Sequence, residues 1–188
     1  MLRRAQTLEG TVVVITGASS GIGRATALAF AEHGSRLVLA SRGAEALDQI
    51  RAACSSRGCQ AIAVPTDISD EAAVEHLTRR AIESFGRIDT WVQTAAATIA
   101  GPFGSESTDE IRRLLDTNVL GNVLAARAAL RVFRSQGTGT LILLGSLLSV
   151  FPNPQVPVYS MTKHAVRGLA LNLHQSVSGS PGIKICLV

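Results

Sequence analysis

A tyrosine and a lysine four positions apart are the side chains of this sequence best suited to proton transfer. Tyr159 is the only tyrosine among 188 residues, and Lys163 is one of two lysines. A spacing of four places both side chains on one face of a helix. An ammonium near a phenol favours the phenolate, so the pair predicts a Tyr159 pKa lowered towards neutral pH. Such a phenol donates a proton to a carbonyl oxygen or accepts one from an alcohol. The alternative is a partly buried tyrosine beside a solvated lysine.

A glycine-rich turn near the start of the chain predicts a dinucleotide site. The strand-forming run Val12–Ile15 leads into Thr16–Gly23, and a helix-compatible stretch, Arg24–His33, follows. A strand that turns directly into a helix aims unpaired N–H groups at one point, where a pyrophosphate can bind. A glycine at each of three positions allows the turn, the approach of the cofactor and the packing of the helix. The predicted contacts of this turn are Gly17, Ser19, Ser20, Gly21, Ile22 and Gly23.

Strand-like and helix-like segments alternate along the whole chain, which predicts a doubly wound parallel α/β sheet in one domain, residues 1–188. The predicted strands lie near 11–16, 36–41, 60–64, 88–95, 140–145 and 183–188. The predicted helices lie near 21–33, 44–57, 69–85, 107–134 and 157–177. Gly34 ends the first helix, Ser69 with the following acids begins the third, and Pro157 suits the first turn of the last. Ligands of such folds bind at the carboxyl ends of the strands.

Composition excludes several classes of protein. The 46% of hydrophobic and 17% of charged residues indicate a folded globule rather than a disordered chain. A net charge of +4 is carried by scattered arginines, which is typical of solvated helix faces and not of a nucleic-acid site. Apolar runs are too short to cross a bilayer. The three cysteines and four histidines lack the spacing of a disulfide framework or a metal site. We therefore expect a cytoplasmic protein without metal, membrane or nucleic-acid partners.

Together these motifs resemble the short-chain dehydrogenase/reductase family. The resemblance is carried by Thr16–Gly23 and by Tyr159-Ser-Met-Thr-Lys163, and it extends over essentially the whole chain. It implies a Rossmann fold in which Tyr159 is the catalytic acid/base and Lys163 lowers its pKa and binds the nicotinamide ribose. It also implies that Ser146, thirteen residues before the tyrosine, orients the substrate carbonyl, although a serine at a strand end is often a local cap. Asn118, in the pattern Asn-Val-Leu-Gly, would hold a water that links the lysine to solvent.

The resemblance also assigns the adenosine half of the cofactor. Asp67 and Ile68, after the third strand, would meet the adenine ring, although Asp67 is also suited to an N-cap before Ser69. Gln93-Thr94-Ala95-Ala96 stands where the family usually has Asn-Asn-Ala-Gly, with Ala95 beside the cofactor. The last alanine adds a methyl group near the adenine ribose, and the missing asparagine is expected to remove a hydrogen bond that stabilises the sheet.

The end of the second strand favours NADP over NAD. An acidic residue at this position would accept a hydrogen bond from the ribose 2′-OH and repel a 2′-phosphate. Here Ser41 stands at that position and Arg42 follows it. An arginine binds phosphate with two parallel hydrogen bonds. The alternative for Arg42 is an ordinary solvated charge at the start of a helix.

The sequence therefore predicts an NADP-dependent oxidoreductase that transfers hydride between nicotinamide and a small-molecule carbonyl or secondary alcohol. The alternative is a dinucleotide-binding sensor or scaffold without turnover. It is suggested by the last segment, Ile183–Val188, which is read as a strand, whereas family members continue through a substrate loop and a further strand. Relative to the family the chain is expected to be incomplete at this end, so that either the natural protein is longer or the pocket is incomplete.

A homodimer or homotetramer is also expected, because family members pair their two long helices across a two-fold axis. The corresponding helices here, predicted near 107–134 and 157–177, carry small and apolar residues that suggest this contact. The alternative is that these side chains all face the chain's own sheet. These residues are Ala125, Ala126, Ala128, Ala129, Ala165, Leu169 and Leu173.

Overall fold

The computed structural model describes residues 7–188 and contains six parallel strands in the order β3-β2-β1-β4-β5-β6. The central residues of the second, third and fourth strands of this order are all buried and apolar, as expected for a sheet covered on both faces. The strands are β1 (Val12–Thr16), β2 (Arg36–Ser41), β3 (Ala61–Pro65), β4 (Thr90–Gln93), β5 (Gly139–Leu143) and β6 (Ile183–Leu187). The strand order reverses between β1 and β4, so a crevice forms at their carboxyl ends. The predicted doubly wound α/β fold is confirmed.

Helices cover both faces of this sheet. They are α1 (Gly21–Glu32), α2 (Ala44–Ser55), α3 (Glu71–Phe85), α4 (Thr108–Leu115), α5 (Gly121–Gln136) and α6 (Pro157–Ser176). Side chains of α1 and α2 form one apolar core with β1 and β2. Side chains of α3, α5 and α6 form the second core on the opposite face, around the fully buried Trp91 and Phe133. Pro157 is at the start of α6, as predicted.

The helix predicted over 107–134 is helical from 108 to 136, but a π-helical turn, Asp116–Leu120, lies between α4 and α5 and was not predicted. Within this turn the Gly121 N–H donates to the Asp116 carbonyl, five residues earlier. The Asn118 side chain bonds to backbone outside the helix, to Ala97, and this favours the widened turn at that position. Before the turn, α4 begins at a capping box of Ser107 and Glu110.

Helix α3 and strand β4 differ in their bounds from the segments predicted for them. Helix α3 begins at Glu71 and not at Ser69, because Asp70 is the N-cap and its carboxylate accepts from the Ala72 N–H. Strand β4 is much shorter than the predicted segment 88–95, since the chain leaves the sheet after Gln93. The segment that follows it contributes directly to the crevice.

Candidate active site

A cavity of about 790 Å³ opens at the carboxyl ends of the strands and contains both motifs. Residues separated by more than a hundred positions in the sequence line the same space. Of the predicted site residues, all but Asn118 line it: Gly17, Ser19, Ser20, Gly21, Ile22, Gly23, Ser41, Arg42, Asp67, Ile68, Ala95, Ser146, Tyr159 and Lys163. The fold therefore brings the glycine turn and the Tyr159–Lys163 pair together.

The glycine turn depends on the absence of side chains at two positions. Gly17 has φ of +66°, and a Cβ there would lie 2.9 Å from the Ala95 nitrogen. A Cβ on Gly23 would lie 2.2 Å from the Gly17 carbonyl oxygen. Only glycine is compatible with this packing, since real Cβ atoms do not approach so closely. The turn is therefore held tightly against the end of β4.

The amino terminus of α1 faces the cavity with its amide groups available. Ser20 is the N-cap residue, yet its side chain makes no capping hydrogen bond within residues 7–188, and the first turn of α1 carries no acidic residue. The first N–H groups of a helix have no partner inside the helix, and the helix dipole places positive potential there. This end of α1 is suited to binding a phosphate group.

Ser41 is the last residue of β2, and Arg42 directly follows it. The Ser41 hydroxyl oxygen is buried and has no hydrogen-bond partner among the described residues. Arg42 is exposed and lines the same cavity. Together they contribute a hydroxyl and a guanidinium to the lining of the cavity beside the end of β2.

Asp67 also lines the cavity but does not cap a helix. Its carboxylate accepts from the Ser69 amide at 2.9 Å and from the Ser69 hydroxyl at 2.6 Å. These two bonds lower the Asp67 pKa, with a smaller contribution from the positive charge of Arg42. Because Asp70 caps α3, the N-cap alternative for Asp67 is wrong. Contact between Asp67 and an adenine ring stays a prediction.

Tyr159 and Lys163 lie one turn apart near the start of α6, with the Lys163 Nζ 5.7 Å from the centre of the Tyr159 ring. Lys163 is only 3% exposed, and its ammonium donates to the Leu144 carbonyl oxygen at 2.8 Å. Burial lowers the Lys163 pKa. The alternative of a solvated lysine is therefore wrong.

The expected lowering of the Tyr159 pKa is not found. Burial raises the pKa of the Tyr159 phenol, and the Ser146 hydroxyl opposes this shift only in part. Removal of the phenolate from water is the largest cause of this shift. Within the protein, the pair consists of a protonated phenol beside a buried lysine.

Ser146 combines a local structural role with a place in the cavity. Its hydroxyl accepts from the Leu148 N–H at 3.1 Å and so caps the short 3-10 turn Leu147–Ser149. The same hydroxyl is close enough to Tyr159 to influence its pKa. The cap and the predicted substrate contact are compatible, because a hydroxyl that accepts one bond can donate another.

Asn118 lies behind the cavity, and its side chain binds protein groups. Its Oδ1 accepts from the Ala97 N–H at 2.8 Å, and its Nδ2 donates to the Ala97 carbonyl at 2.8 Å and to the Thr162 hydroxyl at 3.0 Å. The Thr162 hydroxyl in turn donates to the Tyr159 carbonyl at 2.7 Å. Asn118 therefore connects the segment after β4 with the first turns of α6. Its part in a proton path stays a prediction.

The expected loss of a hydrogen bond between β1 and β4 does not occur. Thr94 donates its hydroxyl to the Thr16 carbonyl at 2.6 Å, and the Thr16 hydroxyl donates to the Gln93 Oε1 at 2.8 Å. The Trp91 indole N–H also points to this Oε1, at 3.4 Å. Gln93 and Thr94 thus link the end of β4 to Thr16 of β1, and this cross-strand link borders the glycine turn.

Further residues line the cavity that the sequence analysis did not single out. Arg113 on α4 and Thr117 in the π-helical turn are four positions apart and share one face. Thr117 could have been found, since it directly precedes Asn118, whereas Arg113 carries no motif. The remaining lining residues are Thr16, Ala40, Gly43, Thr66, Thr94, Ala96, Ala97, Leu144 and Gly145.

Metal-ligand clusters and membrane-spanning helices are absent from residues 7–188. No three His, Cys, Asp or Glu side chains of these residues come together as metal ligands. Across the same range, no helix is both long enough and apolar enough to cross a membrane.

Comparison with known proteins gives relatives of one kind. The family described as short chain dehydrogenase matches residues 11–188. The uncharacterized oxidoreductase YxnA of Bacillus subtilis is 38% identical over 162 residues, which are 86% of this chain and 46% of that protein. The uncharacterized oxidoreductase Lmo0432 of Listeria monocytogenes is 36% identical over 163 residues, which are 87% of this chain and 66% of that protein. The chain thus spans between about half and two thirds of the length of these relatives.

Solved structures agree with this relationship. A short chain dehydrogenase/reductase from Burkholderia phymatum in complex with NAD has a TM-score of 0.93 and 29% identity, covering 97% of this chain and 66% of that chain. NAD+-bound xylitol dehydrogenase has a TM-score of 0.92 and 27% identity, covering 97% of this chain and 70% of that chain. The glycine turn, the Tyr159–Lys163 helix and these matches lead to one conclusion: this chain belongs to the short-chain dehydrogenase/reductase family.

Proposed function

We propose that this protein is an NADP-dependent oxidoreductase that interconverts a carbonyl group and a secondary alcohol of a small molecule. The observation that carries the proposal is the single cavity that contains both the glycine turn and Tyr159. A dinucleotide fits the residues present, because the turn excludes side chains and the start of α1 has free amides. When bound, the nicotinamide ring supplies or accepts the hydride.

The residues around Tyr159 have separate tasks in this proposal. Tyr159 holds the proton that a carbonyl oxygen needs on reduction, and its raised pKa keeps the phenol protonated. Ser146 orients that oxygen through its hydroxyl, and Lys163 binds the nicotinamide ribose from inside the cavity. Asn118 fixes the backbone on both sides of the site.

The proton-transfer role is tested with Tyr159→Phe. This variant keeps the ring and its packing but removes the proton, so turnover of NADPH with a panel of ketones and aldehydes is expected to fall by about 10²–10⁴-fold. NADPH affinity, followed by fluorescence titration, is expected to stay near that of the parent. A variant as active as its parent contradicts the assignment. A parent that binds NADPH but reduces none of the panel supports a sensor or scaffold instead.

NADP is proposed as the cofactor on the basis of Ser41 and Arg42. The two solved relatives described above contain NAD. In this chain, however, the end of β2 offers a buried hydroxyl without a partner and a guanidinium, both suited to a 2′-phosphate.

The cofactor is tested by titrating NADPH and NADH against the parent and Arg42→Ala. We expect NADPH to bind more tightly, and the variant to lose about 1.5–3 kcal/mol of NADPH binding with little effect on NADH. Arg36→Ala, at the opposite end of the same strand, is the matched control. Tighter binding of NADH to the parent, or equal losses for both arginine variants, contradicts the choice.

We also propose that the protein works as a homodimer or homotetramer in the cytoplasm. The cytoplasm is supported by Cys54, Cys59 and Cys186, which are all free thiols. Assembly is supported by apolar side chains exposed on the π-helical turn, α5 and α6, namely Leu120, Val123, Met161 and Leu171.

A further inference from the structure

Asn122, the second residue of α5, has a half-satisfied buried side chain. The residue is 4% exposed, and its Nδ2 donates to the Asn118 carbonyl oxygen at 2.7 Å. Its own carbonyl oxygen, Oδ1, is buried and has no hydrogen-bond partner among the described residues. A buried polar atom without a partner is unfavourable for folding. Stability alone is therefore a poor explanation for an asparagine at this position.

The bond from Asn122 lies where the helix is irregular. The π-helical turn interrupts the regular ladder of backbone bonds. The Asn122 side-chain amide donates to the Asn118 carbonyl oxygen, which belongs to this turn. The bond fixes the backbone of Asn118 in the widened turn.

The Asn118 side chain connects the π-helical turn with two other segments of the site. Its side chain holds both the N–H and the carbonyl of Ala97, which lines the cavity. It also donates to Thr162, whose hydroxyl donates to the carbonyl of Tyr159. A shift of the Asn118 backbone would therefore move the cofactor side and the Tyr159 side of the site together.

We propose that Asn122 is a positioning residue: by donating to the Asn118 carbonyl, it sets the π-helical turn and, through Asn118, the Ala97 segment and the Tyr159 turn. The consequence for cofactor affinity rests on the proposed function. The consequence for the Ala97 backbone does not, because it follows from the hydrogen bonds of the protein alone.

Three variants test this proposal. Asn122→Leu keeps a side chain of similar size and removes the donor. Asn122→Thr restores a donor, since a threonine hydroxyl can reach the carbonyl four residues earlier, as Thr78 does with Val74 at 2.9 Å. Asn172→Leu is the control, because Asn172 makes the same kind of bond, to Gly168 at 2.8 Å, on the exposed side of α6.

Hydrogen exchange of the Ala97 amide, NADPH affinity and the melting temperature are measured for each variant. For Asn122→Leu we expect Ala97 exchange to be about fivefold faster and the NADPH Kd about fivefold higher, without a lower melting temperature. Asn122→Thr and Asn172→Leu should match the parent in exchange and affinity.

Specific results would overturn the proposal. One is unchanged Ala97 exchange in Asn122→Leu, and another is an Asn122→Thr variant as impaired as the leucine variant. A melting temperature of Asn122→Leu that falls in step with the other losses would also overturn it, because it would indicate a purely structural residue. If the parent binds no dinucleotide, the proposed function fails, while Ala97 exchange still decides the role of Asn122.

Discussion

At the scale of single residues, burial governs the chemistry of Tyr159 and Lys163. Both side chains leave water on folding, so the neutral form of each is favoured: the Tyr159 pKa rises and the Lys163 pKa falls. Among residues 7–188, the ammonium of Lys163 still has one protein acceptor, the Leu144 carbonyl oxygen. A buried cation with so few partners makes the stability of the protein depend on pH.

Replacement of Lys163 by methionine isolates this pH dependence. Because the folded pKa of Lys163 is below its ordinary value of 10.5, the unfolded chain binds more protons between these two values. The stability of the parent should therefore rise with pH in that window, relative to Lys163→Met. The full change is about 1.4 kcal/mol for each unit that separates the two pKa values.

Urea unfolding of both proteins between pH 7 and 10 measures this difference. The range stops at pH 10, because above the ordinary pKa of tyrosine the raised pKa of Tyr159 lowers stability with the opposite sign. Lys184→Met, which removes an exposed lysine of β6, controls for the loss of one positive charge. Parallel curves for the parent and Lys163→Met would contradict the expectation.

Residues that act through local geometry could be predicted from the sequence, whereas those that act through distant partners could not. The glycine turn was predictable because a strand, a turn and a helix are consecutive in the chain. The direction of the Tyr159 pKa was not, since it depends on burial by other segments. Asn122 carries no motif, and its role follows only from the bond to Asn118.

At the scale of elements, the π-helical turn determines how α5 meets the segment after β3. Gly121, the first residue of α5, directly follows the turn. A Cβ added to it would lie 2.8 Å from the Ile68 Cγ2 and 3.2 Å from the Ile68 carbonyl oxygen. Ile68 lines the cavity, so the close approach of α5 supports one wall of the site. The periodicity of apolar residues predicted one long helix here, because periodicity does not reveal a single inserted residue in a turn.

Gly121→Ala tests this contact. The new methyl group would overlap Ile68, so we expect a loss of about 1–3 kcal/mol in the free energy of unfolding, together with weaker NADPH binding. Gly168→Ala on α6 is the matched control, since no atom of residues 7–188 outside the neighbouring backbone of α6 lies within 4 Å of its added Cβ. Because alanine favours the helix, that control should gain about 0.5–1 kcal/mol. Equal gains in urea unfolding for both variants would show that α5 and Ile68 are not in tight contact.

At the scale of the whole molecule, the sequence analysis predicted assembly from residues that the fold uses internally. Ala125, Ala126, Ala128 and Ala129 are at most 2% exposed and belong to the core beneath α5, so these four follow the alternative that the side chains face the chain's own sheet. Leu169 and Leu173 are half-buried against the same core, and only Ala165 is exposed. Burial depends on which face of a helix meets the sheet, and composition does not reveal that face.

The exposed side chains of α5 and its flanking turn therefore provide the test of assembly. Val123 is 41% exposed and Leu120 is 43% exposed. We expect sedimentation to give a dimer or tetramer at micromolar concentration, and Val123→Glu to shift the protein towards the monomer, because a charge would be buried at the interface. Ile82→Glu, at a 36% exposed position of α3, should leave assembly unchanged. A parent that sediments as a monomer contradicts the proposal.

The link between β1 and β4 also contains one of two optical reporters of the protein, Trp91, and the other is Tyr159 on α6. The chain contains one tryptophan and one tyrosine, so each ultraviolet signal has a single source. Trp91 is fully buried and shares the Gln93 Oε1 with Thr16, a residue that lines the cavity. Its fluorescence should respond to rearrangement of this bond when a ligand binds. The absorbance of the phenolate, recorded during an alkaline titration, reports ionisation at Tyr159 alone.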